Sequence, residues 1–466
     1  MNSKRRDFLK IAGLSSLGVL SGSFLGKTVK AEDLTVLDRG SGRAPKFNMC
    51  GYAAPKLETV RVGFIGVGGR GADAVRRLNH IQGVEINAIG DIRREVAERV
   101  AKRVETNTPA IYADKEEEWK KLCDREDIDL VYICTPWHLH TPMAVYAMKA
   151  GKHVAIEVPV ATTVEECWQL VETSEATRKH CMMLENTCYD FFELMTLNMA
   201  RQGLFGEIMH GEGAYIHDLL DLNFDKNSYY DMWRLKENFR DGNLYPTHGL
   251  GPICQVMNVN RGDKLEYLSS MSTADFSMGN KAKELAEKDA FYKEFANKAY
   301  RGNMNTTTIR THYGRTIMLQ HDVSSPRPYS RIHAISGTKG YVQKWPEPGK
   351  IAFGHDWIAD DEMRKLEEQY TPEIVQKVGE MAKQIGGHGG MDFMMDWRLI
   401  DCLRNGLPLD QDVYDATLWS VIGPLSEKSL KKRSAVVDIP DFTRGAWCTN
   451  KQMDLTLEGG GNTYLK

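Results

Sequence analysis

Two short stretches carry side chains whose types and spacing suit chemistry. The first, Gly66-Val67-Gly68-Gly69-Arg70-Gly71, is a G-x-G-x-x-G run lying directly after the apolar segment VRVGFI and directly before ADAVRRL. Glycines at this spacing let the chain turn tightly, let a pyrophosphate approach the backbone and let helix pack on strand, with the helix N-terminus facing the anion. Asp91 closes the next apolar run, EINAIGD, about twenty residues further on, where a carboxylate accepts from adenosine ribose hydroxyls and disfavours a 2′-phosphate. NAD is therefore the expected cofactor, preferred over NADP, with Arg93 and Arg94 weakening that preference. The second stretch is Tyr245-Pro246-Thr247-His248. A helical turn after Pro246 places phenol and imidazole on one face, where imidazole titrates near neutrality and phenol relays or donates a proton.

The elements that must position these residues are legible as alternation. Four β-rich runs (VRVGFI, VEINAIGD, IDLVYICTP, KHVAIEVP) are separated by helix-like segments such as REVAERVAKRVE and TPMAVYAMKAG. That pattern predicts an α/β fold with a parallel, doubly wound N-terminal sheet. From about Cys181 the texture changes to alternating strand-like runs and long polar loops, which predicts a second α/β domain with an open, mainly antiparallel sheet and C-terminal helices packing back. The expected divisions are an export signal over 1–31, an arm over 32–57, a Rossmann NAD-binding domain over 58–180 and a substrate-binding domain over 181–466.

Composition narrows the partners. The 466 residues carry a net charge of −3 with no long single-sign block, which gives no reason to expect nucleic acid as a partner. Nine cysteines are scattered without a C-x-x-C pair, so no metal site is expected and most are read as buried thiols. Arg5-Arg6 followed by Phe8, Leu9 and Lys10, then a glycine-rich apolar stretch too short to span a bilayer, resembles a twin-arginine export signal. Val29-Lys30-Ala31 offers a cleavage site, so a periplasmic or envelope location with no membrane span in the mature chain is expected. Homo-oligomer formation is left open.

The third apolar run leads into Cys134-Thr135-Pro136-Trp137-His138-Leu139-His140, and the fourth into Glu157-Val158-Pro159. C-T-P-x-x-x-H followed by A-G-K-H-V-x-x-E-x-P resembles the Gfo/Idh/MocA group of sugar-handling oxidoreductases, in which a Rossmann domain joins an open-sheet α/β domain. Many members carry E-K-P, whose lysine helps to activate the hydroxyl being oxidised. Here that position is Val158, which exchanges no proton, so the acid–base work has to lie elsewhere.

E-V-P together with Y-P-T-H, EGAYIHD, MWR and HGGMDFMMDWRLIDCLRNGLPLDQDVYDA resembles glycoside hydrolase family 109, NAD-dependent α-N-acetylgalactosaminidases. The resemblance puts Gly69, Arg70, Asp91, Trp137, His138, Leu139, His140, Glu157, Val158 and Asn186 at cofactor positions. It puts Tyr215, Arg234, Tyr245, Pro246, Thr247, His248 and Tyr329 at sugar-binding positions, and reverses the ordinary reading of Tyr245 and His248 as packing or capping residues. It implies a glycan partner with a terminal N-acetylhexosamine, and a cycle of transient oxidation at C3, elimination across C1–C2, water addition and re-reduction, with His248 and Tyr245 as the acid–base pair. NAD-dependent glycosidases stand outside the two-carboxylate scheme. A sugar dehydrogenase that releases NADH, and a protein that binds NAD and sugar without catalysis, are the competing readings.

Overall fold

The computed structural model describes residues 43–466. The export signal expected over 1–31 and the first part of the arm, residues 32–42, lie outside the described residues. Among the described residues no helix is long and apolar enough to cross a membrane.

The first sheet is parallel and six-stranded: β1 (Val60–Ile65), β2 (Val84–Gly90), β3 (Ala110–Tyr112), β4 (Leu130–Ile133), β5 (His153–Ile156) and β6 (Cys181–Met183), in the order β3-β2-β1-β4-β5-β6. Its order reverses between β1 and β4, and at such a switch point the loops leaving the carboxyl ends of the strands part and form a crevice. The apolar runs form strands because both faces are covered: all of LVYI in β4 and HVAI in β5 is buried. The helices that cover them include α1 (Arg70–Leu78), α2 (Arg94–Ala101), α3 (Glu118–Cys123), α4 (Trp137–Lys149) and α5 (Val164–Thr177). A capping box between Thr163 and Glu166 starts α5 and ends the loop that follows β5. The sheet continues through Met183, three residues beyond the boundary expected at 180, because Cys181–Met183 is too short to announce itself as a strand by periodicity.

The second sheet has eight strands: β7 (Ile208–Ile216), β8 (Leu265–Ser272), β9 (Asn305–Thr311), β10 (Thr316–Asp322), β11 (Ala334–Gly337), β12 (Tyr341–Gln343), β13 (Lys350–Ala352) and β14 (Val437–Asp438). They run in the order β13-β12-β11-β7-β10-β9-β8-β14, antiparallel throughout except where β7 and β10 pair in parallel. Four further helices pack around the sheets, α6 (Phe191–Arg201), α7 (Thr247–Val256), α8 (Met391–Asn405) and α9 (Val413–Lys431), and α9 touches both, at β6 of the first and β8 of the second. α7 lies on β7 so closely that a Cβ on Gly213 would meet the Gly249 carbonyl oxygen at 2.4 Å, so glycine is required at this crossing.

α8 binds the first sheet through charge. Arg77 Nε donates to Asp396 Oδ2 at 2.7 Å, and Tyr132 Oη donates to Asp396 Oδ1 at 2.8 Å, all three groups being buried. Losing one partner of such a buried pair costs about 3–5 kcal/mol, since it strands the other charge. All nine cysteines are unpaired thiols, six of them buried.

Candidate active site

The glycine run forms the turn between β1 and α1. Gly66 has φ of 82°, and a Cβ there would sit 2.8 Å from the Cys134 carbonyl oxygen. At Gly71 an added Cβ would lie 2.1 Å from the Gly66 oxygen, whereas Gly69 is exposed with open space around it. The run is thus a cradle whose backbone is bare on the outside and cramped within, and α1 starts there without any side-chain cap. Asp91 is buried at the end of β2; its Oδ2 accepts from Val67 N and its Oδ1 from Arg93 N, both at 3.0 Å. A carboxylate with two oxygens retains lone pairs for ribose hydroxyls after these contacts. The Arg93 guanidinium is drawn to Asp91 at 3.3 Å and over the Tyr230 ring at 5.4 Å, so it is already engaged near the position of a 2′-phosphate. These residues fit a dinucleotide lacking that phosphate.

The loops after β4 and β5 are tied to each other and to α1. His140 is fully buried, with Nδ1 and Nε2 each 2.7 Å from a carbonyl oxygen, of Pro159 and Thr135 respectively. Expected as a cofactor residue, it holds the two loops together from behind. Leu139 is half-buried and His138 is exposed beside it. Arg70 Nε donates to Glu157 Oε1 at 3.0 Å and its NH1 to Asp392 Oδ2 at 2.9 Å, while Asn186 Nδ2 donates to Asp392 Oδ1. Val158 is buried among apolar neighbours.

The second domain presents an aromatic cluster to these loops. Trp137, the first residue of α4, touches Tyr245 at 5.8 Å and Trp233 at 5.6 Å between ring centroids. Tyr245 in turn lies 4.4 Å from Tyr215 and 4.8 Å, edge to face, from His248. Tyr329 packs 4.9 Å from His217, whose Nδ1 lies 3.1 Å from Tyr215 Oη. The Arg234 guanidinium sits within 6.0 Å of four rings, those of Trp137, Tyr229, Trp233 and Tyr245, and the surface ion pair with Asp231 that its sequence neighbours would suggest goes instead to Lys236. Burial pushes the Tyr215 phenol up to about 12, and pushes Tyr245 further above its ordinary value, so both stay protonated. Burial, then the Arg234 charge, holds His217 below its usual value.

Tyr245 and His248 do not share a helical turn. α7 begins at Thr247 with Pro246 as its N-cap, both buried, so Tyr245 precedes the helix, and its ring meets His248 from outside. His248 Nδ1 lies 2.6 Å from Oε1 of Glu185, a fully buried carboxylate. Burial alone would raise the Glu185 carboxyl; the facing His248 outweighs it and holds the carboxyl below its ordinary value, hence ionised.

Glu185, His388 and Asp392 were not singled out in the sequence, whereas His217, two residues from Tyr215 and expected on the same face, does meet it. His388 stands in the loop before α8 with Nδ1 3.1 Å from Arg70 NH1 and 2.9 Å from Asp392 Oδ2. The available signals were weak: Glu185 adjoins Asn186, and His388 lies within Gly386-Gly387-His388-Gly389-Gly390, whose four glycines all have positive φ.

Geometry and fold together define an NAD-binding, two-domain protein of the Gfo/Idh/MocA type. Residues 60–185 match the oxidoreductase family, NAD-binding Rossmann fold, and residues 189–449 match the glycosyl hydrolase 109 C-terminal domain. The chain belongs to glycosyl hydrolase family 109. It is 46% identical to an alpha-N-acetylgalactosaminidase of Shewanella oneidensis over 96% of this chain and 97% of that one. A glycosyl hydrolase family 109 protein of Shewanella pealeana is also 46% identical, over 98% and 99% of the two chains. Among solved structures, levoglucosan dehydrogenase in complex with NADH superposes with a TM-score of 0.61 at 18% identity, covering 82% of this chain and 100% of that one. The aldose-aldose oxidoreductase of Caulobacter crescentus gives 0.58 at 15% identity, covering 82% and 100%. These two show the shared fold. NAD is the cofactor, and the chain is a glycosidase.

Proposed function

We propose that this glycosidase removes terminal α-linked N-acetylgalactosamine from glycans in a redox-neutral cycle. The observation that carries the reading is the pairing of His248 with Tyr245 beside Trp137, in a chain whose E-x-P lysine position is Val158. The name of the Shewanella oneidensis relative supports the choice of sugar.

Bound NAD supplies a reversible hydride acceptor, so a sugar alcohol can serve as a carbonyl for part of the cycle and be restored at its end. Gly66 to Gly71 and Asp91 would hold it. With Nδ1 turned to Glu185, His248 offers Nε2 to the sugar and moves the proton at the C3 hydroxyl. A carbonyl at C3 acidifies the C2 proton. His248, once it has passed the hydroxyl proton to solvent, would take that proton as the aglycone leaves C1 and is protonated from solvent. Water then adds at C1 and a proton returns to C2, while Tyr245, kept protonated by burial, donates a hydrogen bond at that face. Arg234, Tyr215 and Tyr329 orient the ring, and the aromatic walls exclude water while the carbonyl exists.

Hydrolysis run in D2O tests the cycle. The released N-acetylgalactosamine is expected to carry deuterium at C2, read as loss of the C2 proton resonance. Full retention of that proton would rule out elimination.

We further infer export to the periplasm, supported by Arg5-Arg6 and the apolar stretch that follows. Cell fractionation, with and without an Arg5→Lys/Arg6→Lys pair, checks it: retention of the double variant in the cytoplasm is expected, and unchanged export would contradict it.

A further inference from the structure

We propose that Glu185 is the positioning residue that fixes the tautomer of His248 and compensates its charge during proton transfer, so that the acid–base unit of this enzyme is a buried Glu–His dyad. The inference rests on the reading of His248 as the proton carrier.

The two residues are 63 positions apart and are brought together by the packing of α7 on the 3-10 turn Asn186–Tyr189 that follows β6. Glu185 follows that strand directly and caps the 3-10 turn Asn186–Tyr189, its Oε1 accepting from Thr187 N at 3.2 Å. The Thr187 hydroxyl also donates to Oε1, at 2.7 Å, so the carboxylate is aimed from below as well as bonded from above. On α7, Gly251 lies one turn after His248 and shares its face. A Cβ there would approach Glu185 Cγ to 3.2 Å, so the missing side chain is what lets the helix close on the carboxylate. Glu185 has no exposure to solvent, and its Oε2 has no hydrogen-bond partner. All of the carboxylate's hydrogen bonds gather on Oε1, and a buried charge held in this way is costly to desolvate, so stability alone gives little reason to keep it. It is explicable where a cationic partner forms nearby during turnover.

An ionised carboxylate only accepts, so Nδ1 must carry the proton and Nε2 must hold the lone pair. When Nε2 takes a proton from substrate, Nδ1–H stays in place and the imidazolium faces Glu185 at 2.6 Å. The other groups around the ring are Tyr215 and Tyr245, both protonated, and the neutral-leaning His217, none of which supplies a negative charge.

The test uses full-length enzyme labelled with 15N-histidine, the His248 resonances being assigned by their absence in His248→Asn. Wild-type His248 is expected as the Nδ1–H tautomer; an Nε2–H tautomer overturns the proposal without any variant. In Glu185→Gln the tautomers should mix, kcat should fall about 100-fold with KM within about 3-fold, and the acid limb of the kcat profile should move to lower pH. A purely structural role would lower kcat or stability without moving that limb. Wild-type kcat and an unmoved limb in Glu185→Gln would overturn the proposal. If the wild type cleaves no glycoside, the functional reading fails, and the tautomer measurement still decides the role of Glu185.

Discussion

Arg70 and Glu157, 87 residues apart, are joined by a 3.0 Å hydrogen bond from Nε to Oε1, which locks the helix after the glycine cradle to the loop after β5. The same guanidinium reaches Asp392 on α8, so three separate segments converge on one side chain. Burial disfavours the charge on Arg70, but Glu157 and Asp392 outweigh it and hold it well above its ordinary value, permanently cationic.

Arg70→Ala should therefore loosen the cofactor site more than it loosens the fold. The expected result is an as-purified NAD content at least about 10-fold lower, with the melting temperature reduced by only a few degrees. Quantifying NAD released by heat denaturation checks this. Full retention of NAD would mean that the Glu157 and Asp392 contacts do not shape the site.

Tyr245→Phe removes one oxygen and leaves the ring to pack against Tyr215, Trp137 and His248. A phenol that donates a hydrogen bond to the reacting sugar predicts kcat lower by about 10²-fold with stability changed by less than about 1 kcal/mol. If Tyr245 serves only as an aromatic wall, the variant will turn over like the wild type.

Much of this site was readable because its parts are local. Gly66 to Gly71 and Asp91 stand in a motif whose spacing alone states a turn and its acidic partner, and Tyr245 and His248 are near enough in sequence to meet even though the helical turn expected to join them begins only at Thr247. The rest depends on chain crossings. Glu185 meets His248 only because α7 packs on the turn after β6, and Asp392 meets Arg70 from 322 residues away. The role of His140 behind the loops was hidden for the same reason, since sequence proximity to Trp137 says nothing about which way a helix turns its next face. In the fold, β3 and β6 have three residues each, below the length at which alternation can be seen, and the parallel β7–β10 pairing reflects topology that side-chain patterning does not encode.

Arg234 discriminates charge from shape. It stacks over four rings, a geometry that a flat guanidinium fits and an ammonium does not. Arg234→Lys should raise KM for an aryl α-N-acetylgalactosaminide by about 10-fold or more while keeping the fold, as read by circular dichroism. Equal KM values for the two proteins would remove Arg234 from sugar binding.

The fold itself should be acid-sensitive through His180. This residue is buried at the start of β6, its ring 5.1 Å from His153 and 5.2 Å from Tyr52, and its Nε2 has no hydrogen-bond partner. Burial, with the Lys179 charge, lowers it from 6.5 to about 4. A depressed folded value means stability that is present above 6.5 and lost as pH falls toward 4, on the order of 3 kcal/mol in total. Urea unfolding of wild type and His180→Phe at pH 7 and pH 4.5 checks the sign: the wild type should lose more stability between the two pH values than the variant does. Parallel losses would assign the acid sensitivity to other groups.

The central claim, a glycosidase whose NAD is reduced and reoxidised within one turnover, has a direct measurement. The purified protein is mixed with p-nitrophenyl α-N-acetylgalactosaminide without added NAD, and p-nitrophenol release is followed together with absorbance at 340 nm. Many equivalents of p-nitrophenol per enzyme with no net gain in NADH are predicted. NADH accumulating in step with substrate loss would make the protein a dehydrogenase and contradict the account.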